Sequence, residues 1–204
     1  ILPVDYAEFK SQFEKFVPKI AGGSSAKKEK KGDACFIVKP DNMCQGRGIF
    51  LLKNPLDVDP GEHCVAQRYV TNPYLVDDLK FDLRIYVLLY GVNPLRIFIF
   101  KDGLVRFATE PYEKPSEENI DNLFMHLTNY AINKNSENFV QNDGGDCTDD
   151  EEEEGTHKRS LKSLYFLFKL HSKPYKRLKS EINDIIVKTL IVAQPSLQHL
   201  FRSC

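Results

Sequence analysis

The run Phe36-Ile-Val-Lys-Pro-Asp-Asn-Met-Cys-Gln-Gly-Arg-Gly-Ile49 confines the chain more than any other stretch. It reads as a strand, a polar glycine turn and a second strand beginning at Gly48, the two strands paired. Glycine lets a backbone turn tightly and brings its N–H groups close to an anion. Lys39 leaves the first strand just before the loop, and a lysine point charge beside exposed N–H donors suits a phosphate chain. The loop is neither the Gly-x-x-x-x-Gly-Lys-Ser/Thr of most nucleotidases nor Gly-x-Gly-x-x-Gly. Taken alone it reads equally well as a hairpin turn with a solvated Lys39 and Arg47.

The surrounding periodicities set the fold class. Asp5-Tyr-Ala-Glu8 has capping-box spacing, and Tyr6, Phe9, Phe13, Phe16 and Val17 then recur at helical spacing until Pro18, a stripe that belongs in a core. Residues 22–32, with four lysines, have loop composition. Residues 63–70 read as a third strand, ended by a turn at Asn72-Pro-Tyr. Three β-rich runs follow, over 81–90, 95–101 and 104–109. Gly91-Val-Asn-Pro94 and Lys101-Asp-Gly103 separate them, which predicts an antiparallel meander. A short helix over 116–122 should lead into 126–132. Two apolar stripes then predict helices, one through Leu161, Leu164, Tyr165 and Phe168. The other runs through Leu178, Ile182, Ile185, Ile186 and Leu190 and ends before Pro195. Strand–loop–strand first and an antiparallel sheet with helices second fits a two-lobed α+β arrangement.

Composition narrows the classes. Two hundred and four residues with 42% hydrophobic content can bury a real core. No stretch approaches the ~20 apolar residues of a membrane span, and the residues from Ile1 lack the charged-then-apolar pattern of a signal peptide. Five cysteines, odd in number and without Cys-x-x-Cys spacing, argue for reduced thiols in a cytosolic protein rather than a disulfide framework or zinc site. The net charge of −1 hides a segregation: residues 143–154 hold eight acids and no base, while 156–180 hold eight Lys/Arg and no acid. Such runs serve either as solvated surface or as a dock for a partner of opposite charge. Residues 141–155, acidic and glycine-rich, have nothing to bury and are expected to be a disordered insertion.

Four further motifs follow the glycine loop in order: Val65-Ala-Gln-Arg-Tyr-Val70, Lys80-Phe-Asp-Leu-Arg84, Leu104-Val-Arg-Phe-Ala-Thr-Glu-Pro-Tyr112 and His126-Leu-Thr-Asn-Tyr130. Together they closely resemble the tubulin tyrosine ligase-like family, and within it the polyglutamylases. The resemblance implies an ATP-grasp fold, two lobes with ATP between two antiparallel sheets, incomplete at both ends. Residues 1–75 would form part of the central lobe. Residues 76–204 would form part of the C-terminal lobe, with the acidic insertion near 141–155.

The same resemblance assigns roles. Lys39 would meet the α- and β-phosphates, with Gln45 and Gly46 in a flap over them. Gln67, Arg68, Tyr69 and Val70 match the adenine hinge, where backbone N–H and C=O groups face the base. Strand alternation puts Lys80, Asp82 and Arg84 on one face, which in an antiparallel sheet is often merely solvated. By resemblance Lys80 and Asp82 contact the nucleoside and Arg84 the terminal phosphate, so Lys39, Lys80 and Arg84 should share one cleft. Arg106 looks like a second cationic clamp, near both the phosphoryl group and the amino-acid substrate. Thr128 and Asn129 would complete the ATP contacts. An asparagine amide can bind a phosphate oxygen but is no general base. His126, in an apolar run, reads as a hydrogen-bonded structural residue. Tyr130 and Lys158 match positions that hold the incoming glutamate, although Ala131 stands where glutamylating relatives usually carry serine. The magnesium ligands of the family, an Asp and a Glu-x-Asn pair, are expected beyond Cys204, so the chain alone is expected to be inactive.

The implied activity of the full-length parent is ATP-dependent ligation of free glutamate to glutamate side chains of tubulin C-terminal tails through an acyl phosphate, with ATP and Mg2+ as cofactors. Transfer of glycine or tyrosine is the nearest variant. A non-catalytic microtubule-binding module using residues 156–180 is the alternative from another class. Tubulin tails, microtubules and free glutamate are the implied partners, with no nucleic acid and no membrane. The expected location is cytoplasm and cytoskeleton, with cilia or basal bodies at family level.

Overall fold

The computed structural model describes residues 4–16, 35–141 and 155–202. Residues 22–32 and all but the two ends of 141–155, for which a loop and a disordered insertion are expected, lie outside them. The chain divides into two compact units, one of Ile1–Phe81 with Phe107–Phe139, the other of Asp82–Arg106 with Val140–Cys204. The class is α+β with antiparallel sheets. No helix among the described residues is long and apolar enough to cross a membrane.

The first unit is built on a three-stranded sheet of β1 (Phe36–Pro40), β2 (Phe50–Leu52) and β3 (Cys64–Arg68), in the order β2-β1-β3. Antiparallel register sets Ile37 opposite Leu51 and Gln67, and Val38 opposite Phe50 and Ala66. Alternation therefore gives the sheet two apolar faces. On one, helix α1 (Tyr6–Phe16) lays Phe9 and Phe13 on Phe36, with ring centroids 5.4 and 4.9 Å apart, over buried Val38, Leu52, Val58 and Cys64. Each buried Phe contributes about 1.5–3 kcal/mol relative to exposure. On the other face Cys35, Leu51 and Tyr69 pack with Ile37, Tyr112 and Ile120. Burial pushes the Cys35 thiol up to about 11.

β4 (Leu75–Val76), β5 (Leu79–Val92), β6 (Leu95–Phe107) and β7 (Lys158–Ser160) form a second sheet in that order. β4, unforeseen in the sequence, joins β5 through Asp77 and Asp78, both with positive φ (54° and 58°), as a two-residue hairpin turn requires. The meander expected over 81–109 is instead one long hairpin, because Lys101-Asp-Gly103 is not a turn. Gly103 is buried inside β6, where a Cβ would meet the Arg84 carbonyl oxygen at 2.4 Å, so its glycine serves a close backbone approach. The Asp102 carboxylate accepts from Gly103 N (2.8 Å) and from Leu161 N (3.1 Å), the first residue of α4 (Leu161–Leu170).

After β6, 116–122 is a run of turns stabilised by Ser116 and Asn119, not the expected helix. Two four-residue helices follow, α2 (Leu123–His126) and α3 (Tyr130–Asn133), with Leu127 and Asn129 in extended conformation. In the second unit α4 buries Leu161, Leu164 and Phe168. Helix α5 (Tyr175–Arg202) runs through Pro195 rather than ending before it. Proline denies its turn the bond to the carbonyl of Ile191, a residue 53% exposed, so the break falls on an exposed turn of the helix. Gln194 Nε2, beside it, donates to Val92 O at 2.8 Å.

Candidate functional site

In the first unit Lys39, Gln67 and Tyr69 stand on the sheet face away from α1. Lys39 and Gln67 stand on the neighbouring strands β1 and β3, and Lys39 Nζ donates to Gln67 Oε1 at 2.8 Å. Alternation along β3 sends Tyr69 to the same face and Arg68 to the other. Val70 is 66% exposed.

The loop after β1 is shaped by three residues with positive φ: Gln45 (62°), Gly46 (88°) and Gly48 (68°). Gly46 is buried, and a Cβ there would meet Ile132 Cδ1 at 2.7 Å and Asn129 Cγ at 3.0 Å. Only glycine seats the loop this closely, so the flap residue and Asn129 are in contact. Thr128 is buried beside it.

Lys80 points back into this unit. Its Nζ donates to Tyr69 Oη (2.9 Å) and to the His126 carbonyl (2.7 Å) and lies 4.3 Å from the Tyr69 ring centroid. Burial first, then the neighbouring Tyr112 and Cys35, push the Tyr69 phenol well above its ordinary value. His126 is fully buried between Tyr69 and Tyr112, at 5.8 Å from each ring centroid. That agrees with its reading as a hydrogen-bonded structural residue.

Asn133, which carries no motif, supports the same segment. Its Oδ1 accepts from Thr109 N and Oγ1, both at 3.0 Å, and its Nδ2 donates to Leu127 O (2.8 Å) and Asn129 O (3.1 Å). All of its main bonding capacity is used, and it fixes the backbone on both sides of Thr128. The only signal for it in the sequence is its place four residues after Asn129. Tyr130, 47% exposed on α3, sets its ring 5.8 Å from that of Phe139.

The second unit holds the remaining candidates. Arg106 makes a two-pronged pair with Asp82, through Nε to Oδ1 at 2.8 Å and through Nη2 to Oδ2. Hydrogen bonding to Asp82 raises the Arg106 pKa further, so the guanidinium stays charged. The antiparallel register sets Lys158 of β7 directly opposite Arg106 of β6, so both cations stand on one face. Asp82 already pairs with Arg106, and Lys158 adds a second cation to that face. Lys158 is exposed, whereas Arg159 is buried and its Nε donates to Thr156 O at 3.0 Å. Arg84 is exposed on β5. Among the described residues no three His, Cys, Asp or Glu side chains cluster in a way that could hold a metal ion.

The family model described as the tubulin-tyrosine ligase family matches residues 1–203. A "Probable beta-tubulin polyglutamylase" of Tetrahymena thermophila is 45% identical over 204 residues, 100% of this chain and 16% of that protein. "Tubulin polyglutamylase TTLL13" of Mus musculus is 43% identical over 203 residues, 100% of this chain and 22% of that protein. "Tubulin polyglutamylase ttll6" of Danio rerio is 44% identical over 203 residues and is covered to 23%. The chain thus spans about a fifth of the length of the curated relatives it matches, and all of its own length falls inside the matched region. On the match over residues 1–203 and these identities, the chain belongs to the tubulin-tyrosine ligase family.

Proposed function

We propose that the full-length protein is a tubulin polyglutamylase, an ATP-dependent ligase that joins free glutamate to glutamate side chains of tubulin C-terminal tails. Relatives named for that activity support the reading, at 43–45% identity across the chain. The observation that carries the choice of glutamate is the placement of Arg106 and Lys158 on one sheet face. Glutamate brings two carboxylates, whereas glycine and tyrosine bring one. The Nη1/Nη2 end of the Arg106 guanidinium, beyond its pair with Asp82, and the Lys158 ammonium would engage both.

The residues of the first unit fit a nucleotide. Lys39 and the left-handed backbone of Gln45 and Gly46 would hold phosphate oxygens. Gln67, Arg68, Tyr69 and Val70 would offer backbone groups to the base. Lys80 and Asp82 would face the nucleoside, Arg84 the terminal phosphate, and Thr128 and Asn129 the phosphate chain beside the flap. Bound ATP supplies the phosphoryl group that turns a poor electrophile, a carboxylate, into a reactive one. Arg84 and Arg106 would stabilise the charge that moves. Magnesium would neutralise the phosphates through carboxylates elsewhere in the protein. In this reading residues 1–75 and 76–204 contribute to the two lobes of an ATP-grasp fold. The protein would act in the cytoplasm on the cytoskeleton, with cilia and basal bodies as sites rich in its substrate.

The test is mass spectrometry of tubulin incubated with the full-length protein, Mg-ATP and each amino acid in turn. Tail peptides heavier by glutamate residues are expected. Tails extended by glycine or tyrosine but not glutamate would overturn the assignment and favour the variant that Ala131 leaves open. Association with microtubules without any transfer would favour a non-catalytic module using residues 156–180.

A further inference from the structure

His126 belongs to a motif, yet the reaction outlined above gives it no task. Its surroundings do. The ring is 0% exposed and meets three segments. Nε2 lies 3.0 Å from the Asn119 carbonyl oxygen, which can only accept, so Nε2 carries the proton. Nδ1 lies 3.3 Å from Tyr69 Oη. Burial, and then the positive charge of Lys80, pull the ring pKa below its ordinary value of 6.5 against the opposing bond to Asn119, so the ring is neutral and Nδ1 is an acceptor. The Tyr69 hydroxyl therefore accepts from Lys80 at 2.9 Å and donates toward Nδ1 at 3.3 Å, with the His126 carbonyl oxygen as a second acceptor at 3.4 Å, while Lys80 also donates to that carbonyl at 2.7 Å. The side chains of Lys80 and Tyr69 and the imidazole and backbone carbonyl of His126 close a ring of bonds. Reversing the imidazole tautomer would point the Nδ1 N–H at the Tyr69 hydroxyl and leave an unprotonated Nε2 facing the Asn119 carbonyl, which it cannot bond.

We propose that His126 is a positioning residue for nucleotide binding, acting through Nδ1 on the Tyr69 hydroxyl and through its carbonyl on Lys80. This holds the Gln67-Arg-Tyr-Val70 segment and the Lys80 ammonium in fixed relation. The inference rests on the reading of that segment as the adenine hinge. It goes further in assigning hinge geometry to a residue that touches no ligand. Tyr69 supplies the link: it is 5% exposed and its backbone N–H is held by Cys35 O at 2.8 Å, so its ring orientation and the course of the hinge are coupled.

Two substitutions separate the ring's two bonds. In His126→Asn the side-chain oxygen can stand where Nδ1 stood and accept from Tyr69. In His126→Gln the amide N–H can stand where Nε2 stood and donate to Asn119, leaving Tyr69 without the Nδ1 acceptor and with only the longer contact to the backbone carbonyl of residue 126, at 3.4 Å. The experiment is amide hydrogen exchange across residues 67–70 in the full-length protein without nucleotide, paired with the Kd for ATP. His126→Gln is expected to speed exchange in the hinge and weaken ATP binding by about tenfold, the order of one lost hydrogen bond. His126→Asn is expected to recover most of both, while exchange in α1 stays the same in all three proteins. Equal effects of the two substitutions on hinge and affinity would overturn the proposal, since a merely structural ring would not distinguish them. If the unaltered protein binds no ATP, the nucleotide reading falls, while the exchange arm still decides whether His126 holds the hinge. Should either variant fail to fold, nitrogen chemical shifts of His126 in the unaltered protein decide: the Nε2–H tautomer supports the ring of bonds, and the Nδ1–H tautomer or a protonated ring at neutral pH overturns it.

Discussion

Gly46 shows how one missing atom can shape a site. Its φ of 88° and the 2.7 Å gap from a would-be Cβ to Ile132 Cδ1 both exclude a side chain. Gly46→Ala adds a left-handed alanine at a cost of ~1–2 kcal/mol and pushes the loop off Asn129. We expect ATP affinity measured by titration calorimetry to fall about tenfold with α1 packing unchanged; unchanged affinity would separate the flap from nucleotide binding. Histidine protonation gives a second prediction at this scale. Burial is the leading cause that lowers the pKa of both His126 and His157 below 6.5, the latter while its Nδ1 accepts from Val140 N at 3.0 Å. Below 6.5 the unfolded chain binds protons that the native state refuses, so this stability is complete above 6.5 and is lost as pH falls through that value toward the folded pKa values. Urea unfolding should therefore show stability declining from about pH 7.5 to about pH 5.5, and less steeply in His157→Gln. Single residues were unevenly legible in the sequence. Lys39, Gly46 and Tyr69 stand in motifs that the sequence displays, and the buried, hydrogen-bonded His126 agrees with its reading as structural. The pairing of Asp82 with Arg106 was not legible, because strand alternation tells which face a side chain takes and not which neighbour it meets.

Elements were legible where a period or a turn residue had one cause. The aromatic stripe of α1 and the strand pair around the glycine loop are of that kind. Lys101-Asp-Gly103 had two causes available. Asp and Gly favour turns, but here Asp102 caps α4 and Gly103 admits the Arg84 carbonyl, two long-range contacts that no local pattern reveals. Gly103→Ala should accordingly destabilise the β5–β6 hairpin by ~1–3 kcal/mol, the range for overpacking a filled site. Thermal unfolding would show it, and a neutral result would mean that the strands separate freely at this point. Pro195 misled for a related reason: proline stops a helix when its lost bond is buried, and the Ile191 turn is exposed. Pro195→Ala is expected to restore that bond and raise the helical signal at high temperature in circular dichroism. The strand β7 was hidden because three residues, Lys158 to Ser160, carry no alternation long enough to read.

At the scale of the whole molecule the charge segregation has a defined carrier. Lys169, Lys173 and Lys176 are exposed along α4 and the start of α5, whereas Arg159 of the same basic run is buried and takes no part in a docking surface. Fields of exposed charges decay over ~8 Å at physiological salt. Neutralising the three lysines should weaken microtubule association several-fold at low salt, flatten its salt dependence and leave the KM for glutamate unchanged. Sedimentation of the full-length protein with microtubules at several ionic strengths measures it. The two-unit division itself was not legible, because β5 and β6 each contribute residues to both units and no linker composition marks the passage. The account's central claim is that the face of the β2-β1-β3 sheet opposite α1 receives ATP. Photocrosslinking the full-length protein with an azido-adenine nucleotide, followed by peptide mapping, tests it most directly. The account predicts label within residues 67–70 that excess ATP abolishes and that Lys39→Ala strongly reduces; label confined to the α1 face, or undiminished by ATP, would contradict it.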